Sequence, residues 1–175
     1  LKWWEDYTRD EPPGFDNNKS PGNAAGGLTT ILEKSLGAVA KGGSTNLVDV
    51  IGYGEPIREK GLVFMDSPGF DPMSATGQVA SGANLICFTT GRGSCFGCRP
   101  APSIKLATNS AMFARMEEDM DINCGAILDG EASIDEMGEA IFREMLATAS
   151  GKPTKSELLG YGDDEFAPWH VNAWL

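Results

Sequence analysis

The feature that most constrains this chain is a series of short apolar runs set between turns and helical stripes. The runs are Leu36–Ala40, Leu47–Ile51, Leu62–Met65, Leu85–Thr89 and Ile104–Ala107. Mainly apolar runs of this length suit strands covered on both faces, as in a parallel sheet. Between them lie helical patterns: Leu28 to Lys34 with Leu28, Ile31 and Leu32 on one face, Met73 to Ala80, and a segment after Asn109 with Met112, Phe113 and Met116 on one face. The plainest helix signal begins at Ser133. Ser133 and Glu136 form a capping box ahead of a stripe of Ile134, Met137, Ile141, Phe142, Met145 and Leu146, and Gly151 with Pro153 ends it. Strand–helix alternation of this kind predicts an α/β fold with a mainly parallel, doubly wound sheet and flanking helices, and the helix after Ser133 packed on that sheet.

A length of 175 residues suits a single domain over 1–175. Hydrophobic residues make up 41% and charged residues 22%, the balance of a globular protein. The net charge of −11 argues against a nucleic-acid partner, which requires clustered Lys and Arg. No apolar run approaches the roughly 20 residues that span a bilayer, so no membrane partner is expected. The acidic runs Glu117-Glu118-Asp119 and Asp163-Asp164-Glu165 read as solvated faces. The chain opens Leu1-Lys2-Trp3-Trp4 without an initiator Met, and its aromatic start is expected to pack against further protein.

Of the 22 glycines, many stand just after the expected strands, at Gly69, Gly91, Gly93 and Gly97. In open α/β sheets ligands bind beyond the carboxyl ends of strands, where the backbone must approach them closely. Two such loops carry chemistry. The first, Phe88-Thr-Thr-Gly-Arg-Gly-Ser-Cys-Phe-Gly-Cys-Arg-Pro100, runs from a strand into hydroxyls, glycines and two arginines. Arg92 can grip a carboxylate through both nitrogens while Thr90, Gly91 and Gly93 line the substrate. The plain alternative is a tight surface turn with a solvated arginine. The second, Met65-Asp-Ser-Pro-Gly-Phe-Asp-Pro72, offers Asp66 as a base or cation ligand, with Asp71 read as the cap of the next helix. A third loop, Asp16 to Gly27, places Asn23 and Lys19 where they could cradle a carboxylate.

Cysteine usage is sparse: Cys87, Cys95, Cys98 and Cys124. One Cys-x-x-Cys is half a zinc site, and Pro100 and Pro102 make a helix-opening redox motif unsuitable. Cys95 is a candidate single thiolate ligand to iron, whereas Cys87, inside a strand, reads as a small core residue. His170 is the only histidine, so no histidine-rich metal cluster can come from this chain. Neither a Gly-x-Ser-x-Gly elbow nor a Walker A loop is present.

Taken together, these segments resemble the altronate/galactarate dehydratase family. The residues that carry the resemblance are Ser20-Pro-Gly-Asn23, Gly26-Gly-Leu28, Glu33-Lys-Ser-Leu-Gly37 and Gly61-Leu-Val-Phe-Met-Asp66. They continue through Val79-Ala-Ser-Gly82, Phe88-Thr-Thr-Gly-Arg-Gly-Ser-Cys95, Ile104-Lys-Leu-Ala-Thr-Asn109, Asp119-Met-Asp-Ile-Asn123, Ala149-Ser-Gly-Lys152 and Glu165-Phe-Ala-Pro-Trp169. The resemblance implies the C-terminal portion of a longer dehydratase, part of a Rossmann-like catalytic domain. It also implies a hydro-lyase acting on hexonates or hexarates with a divalent metal, Fe²⁺ foremost and Mn²⁺ next. The Ser94-Cys95 form resembles the altronate branch, which turns D-altronate into 2-keto-3-deoxygluconate; the galactarate branch lacks that cysteine. The large subunit of sulfolactate sulfo-lyase is a close relative of the same pattern. The implied partners are a small sugar acid and the remainder of the enzyme, in the cytoplasm, with a homo-oligomer also compatible. The alternative outside enzymology is an anion-binding module that is inert in isolation.

Overall fold

A computed structural model describes residues 31–168, together with Lys2, Asp6, Gly22 and Ala25. Trp3, Trp4, Lys19, Asn23 and His170 lie outside the described residues. The chain divides into two units, Leu1–Asn46 and Leu47–Leu175.

In the first unit helix α1 spans Ile31–Lys41. The apolar run Leu36–Ala40, expected as a strand, is therefore the second half of a helix. Its apolar residues, at 36, 38, 39 and 40, fit strand and helix alike, and Leu36 and Val39 are exposed. Gly22 and Ala25 are helical as well, inside the stretch expected to be a loop.

In the second unit every strand pairing is parallel. Strand β1 (Leu47–Ile51) pairs with β2 (Leu62–Met65), Leu47 opposite Leu62 and Ile51 opposite Met65. Strand β3 (Ile86–Thr90) pairs with β4 (Ser103–Ala107), which in turn pairs with β5 (Ile122–Asn123). The α/β architecture with parallel strands and flanking helices is thus present, as two small sheets in the orders β1-β2 and β3-β4-β5.

Only β4 is buried along its whole length, because it alone has a neighbour on each edge. The edge strand β3 alternates between buried and accessible positions, so Cys87 is exposed and not the core residue the sequence suggests. The run is apolar but its second face is not covered among the described residues.

Helix α2 (Asp71–Ala80) begins with proline in its first turn and lacks a side-chain cap. Phe70 occupies the N-cap position, so Asp71 lies inside the first turn, where its charge faces the positive helix end, and does not cap the helix. The buried face of α2 carries Met73, Ala75, Thr76 and Gly77. A methyl group on Gly77 would lie 2.3 Å from Cε2 of Tyr53, whose hydroxyl donates to the Met73 carbonyl at 2.7 Å. This close approach of Tyr53 to the helix is what the glycine permits. Ala75 joins Ile86, Phe96, Cys98 and Ala101 in one core cluster, flanked by Val79 and Phe88.

Helix α3 (Ser110–Arg115) is capped by Asn109, whose Oδ1 accepts from the Met112 backbone at 2.8 Å. Its Met112 packs with Ala107 and Met120 in a second cluster. Helix α4 (Ile134–Ala149) carries the expected Ser133–Glu136 capping box. It packs on the 3-10 turn Cys124–Ile127. Met137 and Thr148 are its buried residues, while Ile134, Phe142 and Leu146 face out. The short helix α5 (Lys155–Leu158) has a second capping box, from Thr154 and Glu157. Among the described residues no helix is long and apolar enough to cross a membrane.

Candidate functional site

The carboxyl ends of β3, β4 and β5 all face the same way, since the strands are parallel. From them emerge the loop after Thr90, the turn Thr108-Asn109, and the turn after Asn123. These segments are laced together by polar bonds. The backbone N–H of Thr108 donates to the Thr90 carbonyl at 3.0 Å, and Asn109 Nδ2 donates to the Gly91 carbonyl at 3.0 Å. Asn123 Oδ1 accepts from the Gly125 backbone at 3.0 Å, and its Nδ2 donates to Ser110 Oγ at 2.9 Å. Ser110 Oγ also donates to Asp129.

The glycine loop is held in shape from inside. Thr90 Oγ1 accepts from the backbone N–H of Gly93 at 3.1 Å and of Arg92 at 3.3 Å, so this hydroxyl closes the turn. Gly93 has φ +93°, and a methyl group there would lie 2.0 Å from the Met116 sulfur. Left-handed backbone and the tight wall of α3 both select glycine at this position. Arg92 is exposed, and its guanidinium has no partner among the described residues. Arg115, which sequence reasoning did not single out, donates from Nη2 to the Arg92 carbonyl at 3.4 Å. Two guanidinium groups therefore flank the loop. The available signal was the position of Arg115 at the last turn of a short helix, where a cation faces the negative helix end.

The second half of the loop turns inward. Phe96 is buried and stacks on Phe88, with ring centroids 5.4 Å apart. Ser94 Oγ accepts from the Phe96 backbone at 3.0 Å. Cys95 is exposed and Cys98 buried, and both thiols are free. Burial pushes the Cys98 thiol up, against a lowering bond at Ala101 and with a further push from Glu165. A buried thiol with a raised pKa suits an inert structural role for Cys98.

The acidic run near the C-terminus is not simply solvated. Glu165 is half-buried and its Oε2 accepts from the Gly97 backbone at 2.6 Å. Asp163 pairs with Arg99 at 2.7 Å, between two well-exposed side chains.

Asp66 stands apart from this constellation. It follows β2, in the other sheet, is exposed, and donates its backbone N–H to the Ile51 carbonyl at 2.9 Å. Among the described residues no hydrogen bond or ion pair joins it to Arg92. Thr90, Gly91, Arg92, Gly93 and Cys95 lie on one loop, and Asp66 follows a strand of the other sheet. A metal is not accommodated by the described residues alone: no group of three His, Cys, Asp or Glu is close enough to hold one. Cys95 supplies at most one thiol.

One residue beneath the loop was missed. Lys105, central in β4, is completely buried, and its Nζ has no hydrogen-bond partner among the described residues. It stands opposite Phe88 in the register, and paired residues of neighbouring strands point to the same face. It therefore rises on the side where Phe96 stacks on Phe88. Its place inside an apolar run hid it, since a lysine there reads as an interruption.

The residues match the family described as D-galactarate/Altronate dehydratase, C-terminal, over 1–173. The chain is 40% identical over 87% of its length to galactarate dehydratase (L-threo-forming) of Escherichia coli strain K12, covering 29% of that protein. It is 37% identical over 80% of its length to altronate dehydratase of the same organism, covering 28% of it. It is 36% identical over 83% of its length to (2R)-sulfolactate sulfo-lyase subunit beta of Chromohalobacter salexigens, covering 38% of it. The chain thus spans between 28% and 38% of the length of these relatives. On the match across nearly all of its residues, the chain belongs to the D-galactarate/altronate dehydratase C-terminal family.

Proposed function

We propose that this chain works within a longer hydro-lyase that removes water from an acidic sugar, with D-altronate the first substrate to test and galactarate the second. The observation that carries the reading is the glycine loop at the carboxyl end of β3, flanked by Arg92 and Arg115 in a chain of this family. Two exposed arginines at a close-packed backbone loop suit a small carboxylate. Loss of water from such an acid begins with removal of the proton beside the carboxylate, and charge then grows on the carboxylate oxygens. Cations already fixed at that place stabilise the charge without reorganising.

Arg92 would grip the substrate carboxylate and Gly91 would let it approach the backbone, while Thr90 and Gly93 hold the turn. Asp66, Lys19 and Asn23 remain assigned to the site by this reading alone, as does Cys95 as a ligand to Fe²⁺ or Mn²⁺. No step is drawn through a metal, because the described residues do not assemble its ligands. The proposal places the enzyme in the cytoplasm with its metabolite substrate.

Exposed apolar residues support work within a longer protein. Leu47, Val50 and Phe64 of the small sheet and Ile134, Phe142 and Leu146 of α4 are all more than half exposed. The test is turnover of altronate and galactarate by the full-length protein, by the same protein with Arg92→Ala, and by the isolated chain. Arg92→Ala should lower kcat/KM by about 10²-fold. Wild-type rates in that variant would reduce the loop to a surface turn. A second reading, elimination of sulfite from a sulfonated hydroxy acid, is favoured by the sulfo-lyase relative and is checked in the same assay with sulfolactate.

A further inference from the structure

We propose that Lys105 is a catalytic residue of this site, its buried and unpartnered Nζ taking the proton from C2 of the sugar acid. The proposal rests on the dehydratase reading and gives the proton transfer to Lys105 in place of Asp66.

A lysine wholly inside β4 is an anomaly to be explained. Burying an amine without a partner costs free energy, and an apolar residue of the same shape would fill the strand without that cost. The nearby carboxylates offset part of that cost through charge, but none of them gives the amine a hydrogen bond. Asp121 spends Oδ2 on the backbone N–H of Lys105 itself, at 2.7 Å, and Oδ1 on that of Lys155, at 2.9 Å. Glu165 Oε2 accepts from Gly97. The contrast with Lys155 is direct, since its ammonium donates to the carbonyls of Met120 and Glu117. Among the described residues the Lys105 amine has no hydrogen-bond acceptor.

Burial lowers the Lys105 pKa from the ordinary 10.5, against the opposing pull of Asp119, Asp121, Cys95 and Glu165. A desolvated lysine is the kind that serves as a base near neutrality. Its surroundings also suit the task. Cys95 and Glu165, which sense its charge, belong to the glycine loop and to the segment 161–167 pinned on it, and neither segment contains a helix or strand. Parting of these two segments is the opening the proposal requires.

The reaction balances on this one group. The C2–H bond breaks, an N–H bond forms on Lys105, and the electron pair passes into the carboxylate as an enediolate. Collapse of the enediolate breaks the C3–O bond. The departing hydroxyl takes the proton from Lys105 and leaves as water, which restores the amine. The enol left behind moves its hydroxyl proton to C3 and becomes the 2-oxo-3-deoxy acid.

The test compares wild type, Lys105→Met and Lys105→Ala in the full-length protein, assayed with altronate and galactarate, with melting temperatures alongside. The expected result is a fall in kcat of about 10²-fold or more in Lys105→Met, a smaller change in KM, and a melting temperature no lower than wild type. Ethylamine should restore part of the activity of Lys105→Ala. Turnover of Lys105→Met within about threefold of wild type overturns the assignment. So does a loss of activity that travels with a lower melting temperature and no rescue by amine, which marks a structural lysine. A wild-type protein inert with both acids overturns the dehydratase reading, and Lys105 as its base falls with it; an active wild type confines any failure to Lys105.

Discussion

Glu165 and Gly97 lie 68 residues apart in sequence and are joined by a 2.6 Å bond from the glycine N–H to Oε2 of the carboxylate. Around it the C-terminal segment is tied down at further points. The Arg99 backbone donates to the Gly162 carbonyl at 3.3 Å, and the Ala167 backbone donates to Thr76 Oγ1 at 2.9 Å. A methyl group on Gly97 would lie 3.0 Å from the Tyr161 carbonyl oxygen, so loop and segment meet backbone to backbone. The shape of the site loop thus depends on a stretch far from it in the chain.

Replacing Glu165 tests this dependence. Glu165→Ala leaves the Gly97 N–H without its acceptor and should cost roughly 1–2 kcal/mol, as for a half-buried hydrogen bond to a charged group. Glu165→Gln keeps an acceptor oxygen and should cost less. Denaturant unfolding measures both, and limited proteolysis should cut the Ser94–Cys98 loop faster in the alanine variant. Equal stability of Glu165→Ala and wild type would show that the bond does not hold the loop.

At the other end of the loop the constraint is steric. Gly93→Ala forces a side chain onto φ +93° and toward the Met116 sulfur, and should destabilise by about 1–3 kcal/mol. Adding Met116→Ala removes the collision but not the backbone strain, so the double variant should recover only part of the loss. Full recovery would assign the whole cost to the sulfur contact.

The parts of this fold that were legible in the sequence are those set by local rules. The Ser133–Glu136 box, the helix after Asn109 and the apolar run of β4 each follow from neighbours in sequence. What was illegible depends on distant residues. Leu36–Ala40 has an apolar run that fits strand or helix, and no local feature decides between them. Cys87 reads as core because its run is apolar, yet β3 is an edge strand with an uncovered face. In the candidate site, the glycine loop and Arg92 were singled out from composition and position. Glu165, Arg115 and Lys105 were not, because their importance arises from contacts, or a missing contact, that only the fold creates.

The capping box of α4 can be read by titration. Backbone and side-chain hydrogen bonds from Ser133 hold the Glu136 carboxyl below its ordinary value of 4.5. A depressed carboxyl contributes stability that is present above the ordinary value and is lost as pH falls through the native one. Ser133→Ala should cost about 1 kcal/mol at neutral pH as a lost N-cap. The gap between the two proteins should narrow in acid, and the Glu136 carboxyl should titrate at a higher pH in the variant. NMR titration of Glu136 checks the second expectation; an unchanged carboxyl would show that the box does not persist in solution.

Lys105 should leave a signature in stability at alkaline pH whether or not it is catalytic. Its native pKa lies below the ordinary 10.5, chiefly through burial. Between the native value and 10.5 the unfolded chain binds more protons at this residue than the folded chain does. Stability must therefore rise with pH across that window, and the burden of the buried amine is fully present only below it. Lys105→Met removes this dependence. Its advantage over wild type should be greatest at and below the native value and shrink as pH approaches 10.5. The charged neighbours that act on the amine are Asp119, Asp121, Glu165 and Cys95. Carboxylates as a class titrate far below this range, and a Cys95→Ala background removes the thiol from the comparison. Urea denaturation of wild type and Lys105→Met across the alkaline range measures the difference directly. Parallel curves would mean that Lys105 keeps an ordinary, hydrated ammonium in solution, and the buried position in β4 would then have to open without unfolding the strand.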